Sequence, residues 1–225
     1  MKSRCAEEVD VRIYDAIKNS TPPEELSKLA EDVDPRVRIR VAFNKSTPLE
    51  VLSTLAKDVD YGVREGVAFN SSTPREVLAA LAEDPNYQVR NYLAWNPSTP
   101  VEALSKLVKD SSIEIRRLAA SHESILPKDL SKLANDRNNS VRTRVASHHS
   151  TPIDDLRKLA EDEAPVVRES VASNSSTPNE VLLQLKKDAN PNIAAIAGSA
   201  LEQRVKAKAD ESIAFLAPNV SLVGR

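Results

Sequence analysis

The feature that most constrains this chain is a period of 26 residues, which runs through it without an insertion. Val-Arg stands at Val11-Arg12, Val37-Arg38, Val63-Arg64, Val89-Arg90, Val141-Arg142 and Val167-Arg168, with Ile115-Arg116 in the same phase. Ile193 continues the phase and loses the arginine. Leu26, Leu52, Leu78, Leu104, Leu130, Leu156 and Leu182 keep the same step, and a second leucine follows each, from Leu29 to Leu185. An aspartate recurs from Asp32 to Asp188. A fixed period of this length marks a tandem array, in which no unit buries a core alone and each must stack on its neighbours.

Each unit reads as two short helices. Thr-Pro-x-Glu opens the first, at Thr21, Thr47, Thr99 and Thr177 and most clearly at Thr73-Pro74-Arg75-Glu76. This is capping-box spacing with proline at the first helical position, so the threonine is expected to cap the helix that follows. Thr151-Pro152-Ile153-Asp154 is a variant, and Ile125-Leu126-Pro127-Lys128 loses the box. The leucine pair gives this helix its apolar stripe. The second helix starts after Asp34, Asp60, Asn86, Ser112, Asn138 or Asn190, all good N-caps, with Ala164 as the exception. It ends at Asn44, Asn70, Asn96 and Asn174. The chain has only four glycines, so asparagine is expected to supply the left-handed closing residue.

The pattern predicts an all-α fold, an α-solenoid of about seven 26-residue units forming one elongated domain over residues 1–225. Residues 1–18 hold half a repeat as an N-terminal cap, and residues 19–190 carry the tandem repeats. In 191–216, Ile193, Ile196, Ala197, Ala200, Leu201 and Val205 form a C-terminal capping helix or helix pair. Residues 217–225 read as a tail.

Composition excludes several classes. A single cysteine, Cys5, rules out a disulfide framework or a cysteine-rich metal site within one chain. No run approaches the ~18 apolar residues that span a bilayer. The first residues lack an apolar signal region, so a cytoplasmic location is expected. A formal net charge of −2 gives no general attraction to nucleic acid or anionic membrane. There is no glycine-rich phosphate loop, no metal-ligand spacing and no histidine sharing a face with a serine or cysteine, so the chain reads as a non-enzyme without a cofactor.

The unit running from Asp84 through Val89-Arg90, Leu93-Ala94, Asn96, Thr99-Pro100, Glu102 and Leu104 resembles the variant leucine-rich repeat family of bacterial proteins. The resemblance spans roughly residues 9–195, and the Asp-x4-Val-Arg core is also similar to HEAT repeats. It implies a right-handed superhelix of alternating short helices, with 3₁₀ geometry allowed in some. Some members hold an iron–sulfur centre in an N-terminal cysteine cluster. Cys5 is alone, so the resemblance implies no such cluster here.

The regular charges and imidazoles have structural readings. On a wheel of about 100° per residue, Arg38 falls within the face of Val37, Val41 and Ala42. A charge there needs a partner, and the natural one is the aspartate six residues earlier. The alanine ladder from Ala16 to Ala172 implies close helix approach. His122 and His148 occupy the asparagine position, followed by His149, and read as helix-end caps rather than zinc ligands.

One face of the second helix carries the candidate site. The stripe reads Arg36, Arg40 and Phe43, then Gly62, Gly66 and Phe69, then Gln88, Tyr92 and Trp95, and turns to serine in later units. Seven of the eight aromatics lie within residues 14–95, which singles out the N-terminal portion. Gly62 and Gly66 fall inside one helix, where each glycine costs about 0.5–1 kcal/mol against alanine. Two readings are open. The rings pack on neighbouring helices and the glycines are drift, or the glycines are the bare floor of a trough.

The second reading gives a non-enzymatic scaffold. It would bind a protein or peptide segment on the concave face through Arg36, Arg40, Phe43, Gly62, Gly66, Phe69, Tyr92 and Trp95. The alternatives are nucleic-acid binding and a purely structural assembly subunit. The first follows from a similarity to HEAT-like DNA-repair glycosylases and would use Arg36, Arg40, Arg117 and Arg144.

Overall fold

The computed structural model describes the backbone of residues 4–216 and the side chains of residues 8–210. The expected tail, 217–225, lies outside the described residues. Fifteen helices and no strand occur among the described residues. The first helices of the units are α2 (Pro23–Leu29), α4 (Leu49–Leu55), α6 (Arg75–Leu81), α8 (Val101–Leu107), α10 (Pro127–Leu133), α12 (Ile153–Leu159) and α14 (Asn179–Leu185). The second helices are α3 (Pro35–Phe43), α5 (Tyr61–Phe69), α7 (Tyr87–Trp95), α9 (Ile113–Ala120), α11 (Asn139–Ser147) and α13 (Pro165–Ser173). The ends are α1 (Arg4–Ile17) and α15 (Pro191–Leu216), the latter one helix rather than a pair. All are α-helices, so the allowance for 3₁₀ geometry is not used among the described residues.

Second-helix starts follow the sequence reading. Asp34, Asp60, Asn86, Ser112 and Asn138 each accept a backbone N–H near the helix start, and Ala164 makes no cap bond. First-helix starts do not. The N-cap is the proline, as at Pro48 and Pro74, and no side chain caps it. The buried Thr47 hydroxyl instead donates backwards to the Val41 carbonyl at 2.6 Å, closing the preceding helix. Thr73, Thr99, Thr151 and Thr177 do the same.

The asparagines also act differently from expectation. No non-glycine residue has positive φ among the described residues, and Asn44 and Asn70 are extended. Their amides bridge successive units. Asn70 Nδ2 donates to the Ala42 and Asn44 carbonyls at 2.8 and 2.9 Å, while its Oδ1 accepts the Ser72 N–H. His122 copies this polarity: Nδ1 accepts the Ser124 N–H, which leaves Nε2 to donate to the Asn96 carbonyl at 3.1 Å.

The arginine ladder is structural, with a corrected register. Arg38 pairs with Asp58 of the next unit rather than with the Asp32 side chain, through Nε and Nη2 at 2.7 and 2.9 Å. Its Nη1 donates to the Asp32 carbonyl at 2.8 Å. Asp58 Oδ1 also accepts the Asp60 N–H, so one carboxylate joins two units and shapes the next turn. Burial alone pushes the Asp58 carboxyl up. The Arg38 hydrogen bond, the Asp60 N–H and the charges of Arg38 and Arg64 outweigh it and hold the group below its ordinary value.

The chain divides into two compact units, Met1–Asp129 and Leu130–Arg225, with the boundary inside α10. In the first, the ladder continues through Arg64–Asp84 and Arg90–Asp110. In the second it is Arg142–Asp162 and Arg168–Asp188. Each unit buries its own leucines, from Leu26 to Leu107 and from Leu130 to Leu185. Each fully buried leucine contributes about 1.5–3 kcal/mol. This is an all-α solenoid architecture. In the first unit, α3, α5 and α7 pack directly on one another, more closely than the first helices do.

Candidate functional site

The site begins with a close helix approach. A Cβ placed on Gly66 would lie 2.7 Å from the Ala42 Cβ and 2.9 Å from the Phe43 ring. Glycine is therefore required for α3 and α5 to meet with Phe43 laid across the contact. Gly66 is buried under that ring and is not the bare floor of a trough. Gly62 plays a lesser part: a Cβ there would lie 3.0 Å from both the Ile39 Cδ1 and the Asp60 Oδ1 that caps its own N–H.

Seating Phe43 on glycine brings three rings together across three helices. Phe43 and Phe69 have centroids 5.5 Å apart, tilted. Tyr92 stands edge-on to both, at 6.4 Å from Phe43 and 5.7 Å from Phe69. These are favourable edge-to-face arrangements. The rings pack on one another, as the packed reading expected, and the group still faces outward, with Phe69 49% exposed and Trp95, one turn beyond Tyr92, 61% exposed.

The flanking charges divide. Arg36 is held by its own helix cap, Nη2 to Asp34 Oδ2 at 2.6 Å, and this hydrogen bonding lowers Asp34 to about 2. Arg40 is exposed on the same face. Arg117 is bound to Glu114, and Lys18 sits over the Tyr14 ring at 4.1 Å.

Sequence reasoning missed Glu65. It lies about 40° round the wheel from the Phe69 row, at the edge of the stripe. Burial pushes its carboxyl up, contact with the Tyr92 hydroxyl offsets part of that, and the like charge of Asp60 adds to it. A signal was present: the same row carries Ile39 one repeat earlier, so a carboxylate there replaces an apolar contact.

In the second unit the same positions build a different surface. Ser147, Ser170 and Ser173 replace Phe43, Gly66 and Phe69, and with Val166 and Glu169 they line a hollow of about 180 Å³. No group of three or more histidine, cysteine, aspartate or glutamate side chains able to hold a metal ion occurs among the described residues. No described helix is long and apolar enough to cross a membrane.

No family model matches the chain, and no curated protein matches it. Among solved structures it is similar to a leucine-rich repeat variant with a novel repetitive structural motif. That match has 30% identity over 80% of this chain and 71% of that one, with a TM-score of 0.63. An Escherichia coli protein, YibA, is similar at 17% identity, covering 90% of this chain and 99% of its own, with a TM-score of 0.46. An engineered protein is similar at 19% identity, covering 85% and 72%, with a TM-score of 0.44. The repeat period, the helix pairs and the first of these matches agree: the chain belongs to the leucine-rich repeat variant family.

Proposed function

We propose that the chain is a non-enzymatic interaction module that binds a peptide segment of another protein on the concave side of its first unit. The observation that carries this reading is the outward-facing group of Phe43, Phe69 and Tyr92 with Trp95 beside it, 61% exposed. Large rigid aromatics with an arginine at their rim are what binding hot spots use, and Arg40 supplies that rim. Gly62 and Gly66 belong to the scaffold under the group, and Arg36 is tied to Asp34 at the start of α3.

Nucleic-acid binding has less support. The ladder arginines are committed to aspartates, and of the four arginines that favoured it, Arg36 and Arg117 are paired with carboxylates. Trp95 is the only tryptophan, so its fluorescence reports on the site directly. Selected peptides are expected to shift its emission and protect it from iodide. Phe69→Ala with Trp95→Ala should abolish peptide binding while circular dichroism stays unchanged. A double variant that keeps full affinity sinks the reading. Salt-sensitive quenching by oligonucleotides, with no peptide response, would replace it with nucleic-acid binding.

A further inference from the structure

Glu65 is a part-buried carboxylate for which the described residues provide no counterion. It projects from α5 between Gly62 and Phe69, and the Tyr92 hydroxyl of α7 reaches it. Among the described residues no lysine, arginine or histidine pairs with it, and the charge that acts on it is that of another carboxylate, Asp60. Phe69 stands one turn on from Glu65 in α5, Tyr92 packs edge-on to Phe69 at 5.7 Å, and Trp95 lies one turn beyond Tyr92 in α7. A carboxylate partly withdrawn from water without an opposing cation is costly, and the ladder aspartates Asp32, Asp58, Asp84, Asp110, Asp162 and Asp188 are each given one.

We propose that the peptide partner places a basic side chain, lysine or arginine, against Glu65, where the carboxylate and the faces of Phe69, Tyr92 and Trp95 receive it together. The inference rests on the peptide-binding reading above and adds the chemistry of the partner. A cation there pairs with the carboxylate and gains attraction from the ring quadrupoles. An acidic segment at the same place would meet Glu65 and Asp60, two like charges. The protein contains its own control. Glu169 occupies the equivalent position of α13, exposed and among serines instead of rings.

The test is selection of random linear peptides on the immobilised full chain, followed by titration of the recovered peptides against variants. Recovered sequences should be enriched in lysine or arginine at one aligned position. Their affinity should fall about ten-fold or more for Glu65→Gln and stay unchanged for Glu169→Gln, with helicity intact in both. Peptides that need Phe69 and Trp95 yet show no basic preference, or that bind Glu65→Gln equally well, overturn this inference and leave peptide binding standing. Peptides indifferent to Phe69→Ala with Trp95→Ala, or no peptides at all, overturn both.

Discussion

Helices α5 and α13 sit at equivalent places in the two units, built on one frame with opposite surfaces. Both bury the valine pair, both send an arginine to the next repeat's aspartate, and both close on a bridging asparagine. On the outward stripe they diverge. Gly66 in α5 lies under Phe43 and leads to an aromatic group, while Ser170 in α13 faces Ser147 across a small polar hollow. The repeat thus separates two tasks. Residues that join neighbouring repeats are kept in register, and the outward positions are free to vary, as the rings beside α5 and the serines beside α13 do.

The sharpest test of the shared frame removes the bridge in each unit. Asn70→Ala takes from the Ala42 carbonyl the side-chain donor that reaches it and from the Asn44 carbonyl one of two donors, the Thr47 N–H remaining, and Asn174→Ala does the same to the Ala146 and His148 carbonyls. Each should cost about 2–3 kcal/mol, read as a fall in urea midpoint. A loss in one unit alone would break the claim that the frame is common. Asn70→His should cost less, since His122 shows that an imidazole keeps one donor and one acceptor of the bridge.

The divergent surfaces predict a smaller and asymmetric effect. Gly66→Ala forces a methyl against Ala42 and Phe43, an overpacking cost of about 1–3 kcal/mol. It exceeds the gain of about 0.5–1 kcal/mol from helix propensity. Ser170→Ala, with no ring above it, should stay within about 0.5 kcal/mol. Adding Phe43→Ser to Gly66→Ala transplants the second unit's solution and should recover part of the loss. Without that recovery, Phe43 is not the reason for the glycine.

These contrasts explain what the sequence made legible. Apolar ladders were readable because burial follows period directly: Leu26, Leu52, Val37 and Val63 repeat and are all buried. Aspartate and asparagine caps at second-helix starts were readable because their partners are two residues away. The polar residues that join units were assigned too locally. Thr47, Asn70 and Arg38 were given neighbours along the chain. Arg38 bonds 20 residues ahead, Asn70 reaches back 28, and Thr47 turns to the helix behind it. Stacking at a 26-residue period makes the distant partners of Arg38 and Asn70 the nearest ones, while that of Thr47 lies six residues back along the chain. At the site, the stripe and its aromatic bias were visible, but the burial of Gly66 depends on how closely α3 approaches α5, and no spacing encodes that.

The smallest expected effect concerns the two glutamates. Burial raises the Glu65 carboxyl in the folded state, so the folded protein holds that proton more tightly than the unfolded chain does. The group therefore favours folding fully only below the ordinary glutamate range, and that contribution is lost as pH rises through the raised folded value. At neutral pH the ionised carboxylate weakens the first unit, so Glu65→Gln should raise Tm there. The gain should shrink as pH falls and vanish where both states are protonated. Glu169→Gln, in its exposed serine setting, should leave Tm unchanged across the same range. Adding a selected basic peptide should reverse the order, since a bound cation stabilises the glutamate form and gives glutamine little. If Glu65→Gln destabilises the free protein at neutral pH, the carboxylate already has a satisfying partner within the chain, and the two glutamates do not differ in the way their surroundings imply.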